Sequence, residues 1–222
     1  RPSLIGLEPQ GKLRLQREMV QQIKSCSEDW GKTVIVDTYE SLIVSFIMYS
    51  STDNTDREYL QEMTERLDTL CTNYTISFFP CDNKAEETRK TYLLYSETIP
   101  LAISIFPGRK LFSYGDILFA HQCETICREK NDSFRICRNI LKPLLEDADS
   151  DALLETLSVY YLDAGCEVKA TASQLFVHRN TIQYRLAKIH AITNFKTDDF
   201  LSNNLMYQAI ACCRLHPELF EV

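Results

Sequence analysis

No run in these 222 residues approaches the roughly 18 uninterrupted apolar side chains that a membrane-spanning helix requires. The opening RPSLIGLEPQ offers neither an initiator Met nor the apolar core of a signal peptide. It reads as the trimmed start of a fragment, with more protein expected upstream. The expectation is a cytoplasmic chain with no membrane partner. Metal knuckles are missing too. The nine cysteines are an odd number and scattered, Cys123 and Cys127 one helical turn apart, Cys212 and Cys213 adjacent. A zinc site needs four convergent ligands, usually from Cys-x-x-Cys or His-x-His pairs, and none is visible. Buried free thiols in a reducing cytosol are expected, with no metal and no cofactor.

Positive charge is the third shortage. Against 31 Asp and Glu stand 24 Lys and Arg, a net charge of −7. That excludes a uniformly basic nucleic-acid coat but leaves room for a local basic face, which is what short-range phosphate contact needs. The hydrophobic share of 45% and the charged share of 25% are those of an ordinary globular protein. Length allows one large or two small domains. Neither an internal repeat nor a low-complexity tract is present.

What is there falls into two regions. Leu13, Met19, Val20 and Ile23 recur at helical spacing between Glu8 and Asp29, which predicts an entry helix. TVIVD and LIVSFIMY, rich in β-branched and aromatic residues, predict a hairpin. DREYLQEMTERLDTLC carries Leu60, Met63, Leu67 and Leu70 on one helical face, with acids in its first turn. TISFFP predicts a third strand and RKLFSY a fourth; NKAEETRKTYLLYSETIPLAISIF is helical in its first half while LAISIF alternates like a strand, and a helix kinked at Pro100 is the favoured of the two readings. From Ile117 onward the pattern is helical, broken at EKNDS and at the Pro- and acid-bearing ILKPLLEDADSDA. The fold class is therefore α+β, an α/β region followed by an all-α one. The expected spans are an entry helix and linker over 1–30, an α/β domain over 31–118, a helical linker over 119–149 and a helical domain over 150–222.

The helical domain carries the chemistry. ALLETLSVYYL forms one helix, ended by Gly165. EVKATASQLF is a short second helix with small residues at Ala170, Ala172 and Ser173. After Phe176 and Val177, a third helix carries NTIQYRLAKIH, whose Ile182, Leu186 and Ile189 form one inward stripe. A short helix with small side chains, a tight turn and a second helix is the helix-turn-helix plan. In that plan the second helix enters the major groove and its N-terminal residues meet base edges. Arg179, Asn180 and Gln183 are side-chain types that pair bidentately with guanine or adenine. Thr181, Tyr184, Arg185 and Lys188 are of types that reach phosphates and set register. Between Glu167 and His190 that one acid faces Lys169, Arg179, Arg185 and Lys188, so the charge excess is local and positive. The bland alternative is a solvated polar face. His178 reads as a cap or turn residue, since no nucleophile and orienting acid stand near it.

These residues carry a resemblance. LLETLSVYYLDAGCEVKATASQLFVHRNTIQYRLAKIHAIT resembles the C-terminal DNA-binding domain of PucR/CdaR-type bacterial transcriptional regulators. The pattern is in register at Leu153 to Leu157, Thr171, Ala172, Leu175, His178 to Thr181 and Tyr184 to Leu186. About 70 residues are covered, through LSNNLMYQAIACCRL. Asn194 stands where the family usually has Gly, and Asn also tolerates the left-handed conformation. The resemblance implies a double-stranded DNA operator as partner, a homodimer, and room for a small-molecule effector acting through an upstream domain. It implies DNA contacts from Thr171, Ser173, His178, Arg179, Asn180, Thr181, Gln183, Tyr184, Arg185 and Lys188.

Residues 31–118 resemble the degenerate GGDEF-like domain that often precedes this module, through the order of elements and the YGDI ending. Active cyclases place a Gly-Gly-acidic turn on the first hairpin, where backbone approaches nucleotide phosphates. Here that place is DTYES, and side chains at Thr38 and Tyr39 would obstruct the approach. The implied domain is non-catalytic, with Asp37, Glu40 and Asp116 as solvated turn acids rather than metal ligands. Two other function classes remain alongside the regulator. A nucleotide-processing enzyme is disfavoured by the missing glycines, and a protein-interaction adaptor with a vestigial helix-turn-helix by the retained Arg179, Asn180 and Arg185.

Overall fold

The computed structural model describes residues 9–39, 42–48, 56–72, 74–79, 85–194 and 200–221. The chain divides into two compact units, residues 1–77 and 78–222.

In the first unit, helix α1 (Pro9–Asp29) buries Ile23, Cys26 and Ser27. Helix α2 (Asp56–Asp68) buries Tyr59, Met63 and Leu67, at i, i+4 and i+8, into the same cluster. Burying two hydroxyls would be costly were they not partnered, and Ser27 Oγ lies 2.8 Å from Tyr59 Oη. Trp30 donates its indole N–H to Glu62 at 2.8 Å, and Arg66 bridges Glu62 and Asp29. Strands β1 (Thr33–Tyr39) and β2 (Leu42–Met48) form the expected antiparallel hairpin, with Ile35 opposite Phe46 and Asp37 opposite Val44. Its two-residue alternation sends Val36, Ile43 and Ile47 into the cluster and leaves Ile35, Phe46 and Met48 exposed. Glu40 and the side chain of Tyr39 lie outside the described residues.

β1 and β2 pair only with each other among the described residues, so the strands do not make one sheet. Strand β3 (Ile76–Phe78) stands at the junction of the units. The division after Ser77 falls inside the 31–118 span read from the sequence. The physical reason is that the elements after it share a core with the C-terminal helices. Helix α3 (Ala85–Ile105), which contains Pro100, contributes Ala102 and Ile105. Strand β4 (Leu111–Ser113) is shorter than RKLFSY because Ser113 already caps helix α4 (Tyr114–Glu129). Ser113 and Asp116 form a reciprocal capping box, and Asp116 also pairs with Arg109. The acid of the YGDI ending is thus committed to a helix start.

The EKNDS break is a left-handed Lys130 (φ 49°) followed by Asn131, whose side chain caps helix α5 (Asp132–Leu145). Helix α6 (Ser150–Ser158) runs into a π-helical turn (Val159–Asp163), then Gly165 and Cys166 in the left-handed region. Helices α7 (Val168–Gln174), α8 (Arg179–Thr193) and α9 (Phe200–Leu215) follow, with a 3-10 turn at Pro217–Leu219. Helix α9 is the central pillar. It buries Met206, Ala209, Ile210, Ala211 and Cys212, and the small side chains of Ala209, Ala211 and Cys212 let neighbouring helices close in. Arg214 at its end grips both carboxylate oxygens of Asp163 and the carbonyl of Ile105, each bond 2.7–2.8 Å. Cys26, Cys71, Cys123, Cys127, Cys137 and Cys212 are buried, Cys166 exposed. Among the described residues no three His, Cys, Asp or Glu side chains are placed to hold a metal ion, and no helix is long and apolar enough to cross a membrane.

Candidate nucleic-acid interface

Helix α7 is seven residues long and is held by packing rather than by a side-chain cap. Thr171 and Ala172 are its buried face, and the Thr171 hydroxyl donates to the Glu167 carbonyl at 2.8 Å. Ala172 leaves space for α8 to cross closely. The helix ends in two bonds of the Schellman type. Val177 N–H donates to Ala172 O at 3.0 Å and Phe176 N–H to Ser173 O at 3.4 Å. The residue between them takes the left-handed conformation that usually calls for glycine. Here it is Phe176, at φ 53° and 93% exposed. For a bulky residue that conformation costs about 1–2 kcal/mol.

Helix α8 then starts on His178. The ring Nδ1 accepts from the Asn180 backbone N–H at 3.2 Å, a side-chain cap on a first-turn donor. With Nδ1 accepting, a neutral ring carries its proton on Nε2. Ile182 and Ile189 are fully buried, and Leu186 packs against the main core beside Ile189. The helix closes on Asn194 at φ 53°, whose N–H reaches His190 O at 2.9 Å. The stripe, the cap and the Asn stop are as the sequence predicts.

The candidate contact residues separate into three groups. Ser173, His178, Arg179, Asn180, Gln183 and Tyr184 are exposed, Thr181 half so, and all flank the turn or the first half of α8. Thr171 faces inward with its hydroxyl already used. Arg185 and Lys188 turn back onto the protein. Arg185 donates to Thr156 Oγ1 at 3.0 Å and to Ala152 O at 3.5 Å, both on α6. Lys188 Nζ lies 2.7 Å from both Asp147 and Asp149, in the turn joining α5 to α6. Those bonds hold the lysine well above its ordinary pKa and the Asp147 carboxyl below its own.

Sequence reasoning missed Phe176 and the Asp147–Asp149 turn. A glycine-free helix end between α7 and α8 was a signal for the first. The acidic run Glu146, Asp147, Asp149 and Asp151 beside a basic helix was the signal for the second.

Residues 153–204 match the model of the PucR C-terminal helix-turn-helix domain. The proline-responsive transcriptional activator PutR of Bacillus subtilis (strain 168) is 37% identical over 62 residues, 28% of this chain and 15% of that protein. The purine catabolism regulatory protein of the same organism is 45% identical over 58 residues, 26% of this chain and 11% of its own length. The matches thus span less than a fifth of these relatives. A regulator of polyketide synthase expression from Bifidobacterium adolescentis aligns over 90% of this chain and 76% of its own at 16% identity, with a TM-score of 0.35.

Proposed function

From a C-terminal domain of the PucR helix-turn-helix type, we propose that the chain acts as a sequence-specific DNA-binding transcriptional regulator. One observation carries the reading. Arg179, Asn180, Gln183 and Tyr184 are exposed on the first half of a helix whose opposite face is buried through Ile182 and Ile189. Laid in a major groove, Arg179, Asn180 and Gln183 meet base edges, and Ser173, Thr181 and Tyr184 meet phosphates. His178 fixes the helix start and stays exposed beside it. Thr171 supports α7 from beneath. Arg185 and Lys188 serve the backbone by exchanging their protein partners for phosphate oxygens.

A single helix reads few base pairs, so two copies on a two-fold operator complete this reading. Residues 31–118 then act as a non-catalytic GGDEF-like relay, supported by the order hairpin, helix, strand, helix, strand. A small-molecule effector acts through sequence upstream, and the DNA partner sets the site of action in the cytoplasm. A strictly monomeric protein on an asymmetric half-site contradicts the dimer.

The test begins with duplexes selected from a random library, followed by titrations on selected and scrambled duplexes at several salt concentrations. Asn180→Ala and Gln183→Ala are expected to cost about 1–3 kcal/mol on the selected duplex alone, each relaxing one base position. Equal losses on both duplexes reduce α8 to an electrostatic patch. No loss on either leaves the adaptor reading, which the internal bonds of Arg185 and Lys188 favour.

A further inference from the structure

Phe176 is the anomaly of the helix-turn-helix. Its backbone is left-handed, at φ 53°, and the other non-glycine residues in that region among those described are Lys130, Cys166 and Asn194. Its ring is 93% exposed, against 83% for Phe200 and 68% for Tyr184. The two backbone bonds that stop α7 come from main-chain N–H groups, so they do not need the ring. Glycine would adopt the same backbone without strain and would not leave a benzyl group in water. The fold therefore gains nothing from phenylalanine at this place and is burdened by it twice.

The position gives the ring its use. It lies in the turn 175–178, three residues before Arg179 and beside exposed Ser173, Gln174 and His178. A surface of amides, hydroxyls and a guanidinium is suited to base edges and phosphates and has little else that is apolar. The one apolar feature a base pair offers in the major groove is the thymine C5-methyl group, for which an aromatic side chain is a suitable partner.

We infer that Phe176 is a DNA-contacting residue whose ring packs on a thymine methyl at the edge of the site read by α8. The inference rests on the proposed placement of α8 in the major groove.

Phe176→Gly tests it without risk to folding, because glycine is at ease in the left-handed region. The variant is expected to melt no lower than the parent and to bind the selected operator roughly 5- to 30-fold more weakly, the equivalent of losing a buried apolar contact. Each operator thymine is then replaced in turn by uracil, which removes the methyl alone. At one position that replacement should weaken the parent and leave Phe176→Gly unchanged. A lower melting temperature in Phe176→Gly overturns the inference, because the ring then serves the fold. Parental affinity in Phe176→Gly, with Asn180→Ala still impaired, also overturns it and assigns the ring to a protein partner. A loss that is additive with every uracil replacement overturns the thymine contact. If Asn180→Ala is itself unimpaired, the failure is that of the proposed function.

Discussion

The ammonium of Lys188 lies 2.7 Å from a carboxylate oxygen of Asp147, and Asp149 holds it from another side at the same distance. Lys188 belongs to α8 and the two acids to the turn before α6, so the pairs also tie α8 to its own domain. Phosphate oxygens offer this ammonium the same chemistry that the carboxylates already supply.

Removing the competitors should therefore strengthen DNA binding. Asp147→Asn with Asp149→Asn is expected to tighten selected and scrambled duplexes by the same factor. The log–log salt dependence should steepen by about one phosphate contact. Adding Lys188→Ala should abolish the gain. A gain that survives in the triple variant comes from the lost negative charge of the turn and not from Lys188.

Arg185 makes a different case, because its partners are neutral. Its guanidinium donates to the Thr156 hydroxyl, which is buried and itself donates to Ala152 O at 2.7 Å. Arg185→Ala leaves that hydroxyl with one partner fewer and is expected to lower unfolding stability by about 1–2 kcal/mol in urea titrations. Lysine cannot reproduce a planar donor fork, so Arg185→Lys should recover only part of the loss. Unchanged stability in both variants would free Arg185 for the backbone contact and remove its role in holding α6.

Much of this was legible beforehand, for a reason visible in particular residues. Ile182, Leu186 and Ile189 repeat at the helical period, Ala172 is small where helices cross, and Asn194 tolerates a positive φ. All are local facts. The fate of Lys188 is not local, since Asp147 is 41 residues away and a four-carbon stem reaches either solvent or a neighbour. The strand pairings are non-local as well. The hairpin was readable from its β-branched runs, but nothing in those runs says that β1 and β2 pair only with each other among the described residues. Phe176 was marked only by an absence, because helix stops are usually recognised by a glycine and this one has none. The base contacts proposed for Arg179, Asn180 and Gln183 are made with a partner molecule, so they lie outside the local patterns that made the helix legible.

The non-catalytic reading of the first half leads to a simple outcome. Incubation with GTP and magnesium or manganese is expected to yield no cyclic dinucleotide and no hydrolysis product. Asp37 accepts from the Thr38 N–H at 2.8 Å and Asp116 is tied to Ser113 and Arg109, so both acids already have partners. Product that disappears in Asp37→Asn would revive the nucleotide-processing class.

The final prediction concerns pH. His216, just beyond α9, holds Glu124 of α4 at 2.7 Å through Nε2 and Glu218 at 3.1 Å through Nδ1. Burial opposes charging this imidazole, but the hydrogen bonds to Glu124 and Glu218 and the negative charge of Glu124 outweigh it and raise the pKa above 6.5. The Glu218 carboxyl is lowered in turn, by a backbone hydrogen bond and by His216. A group whose folded pKa is raised binds its proton more tightly in the native state. Its contribution is complete below pH 6.5 and fades as pH climbs through the folded value. Because the ring is partly solvated, that contribution should stay below about 1 kcal/mol. Urea midpoints of the parent and His216→Gln, compared at pH 6 and pH 8, should differ more at the lower pH. A difference that is larger at pH 8 would mean that the neutral ring, not the imidazolium, is the form that ties α9 to α4.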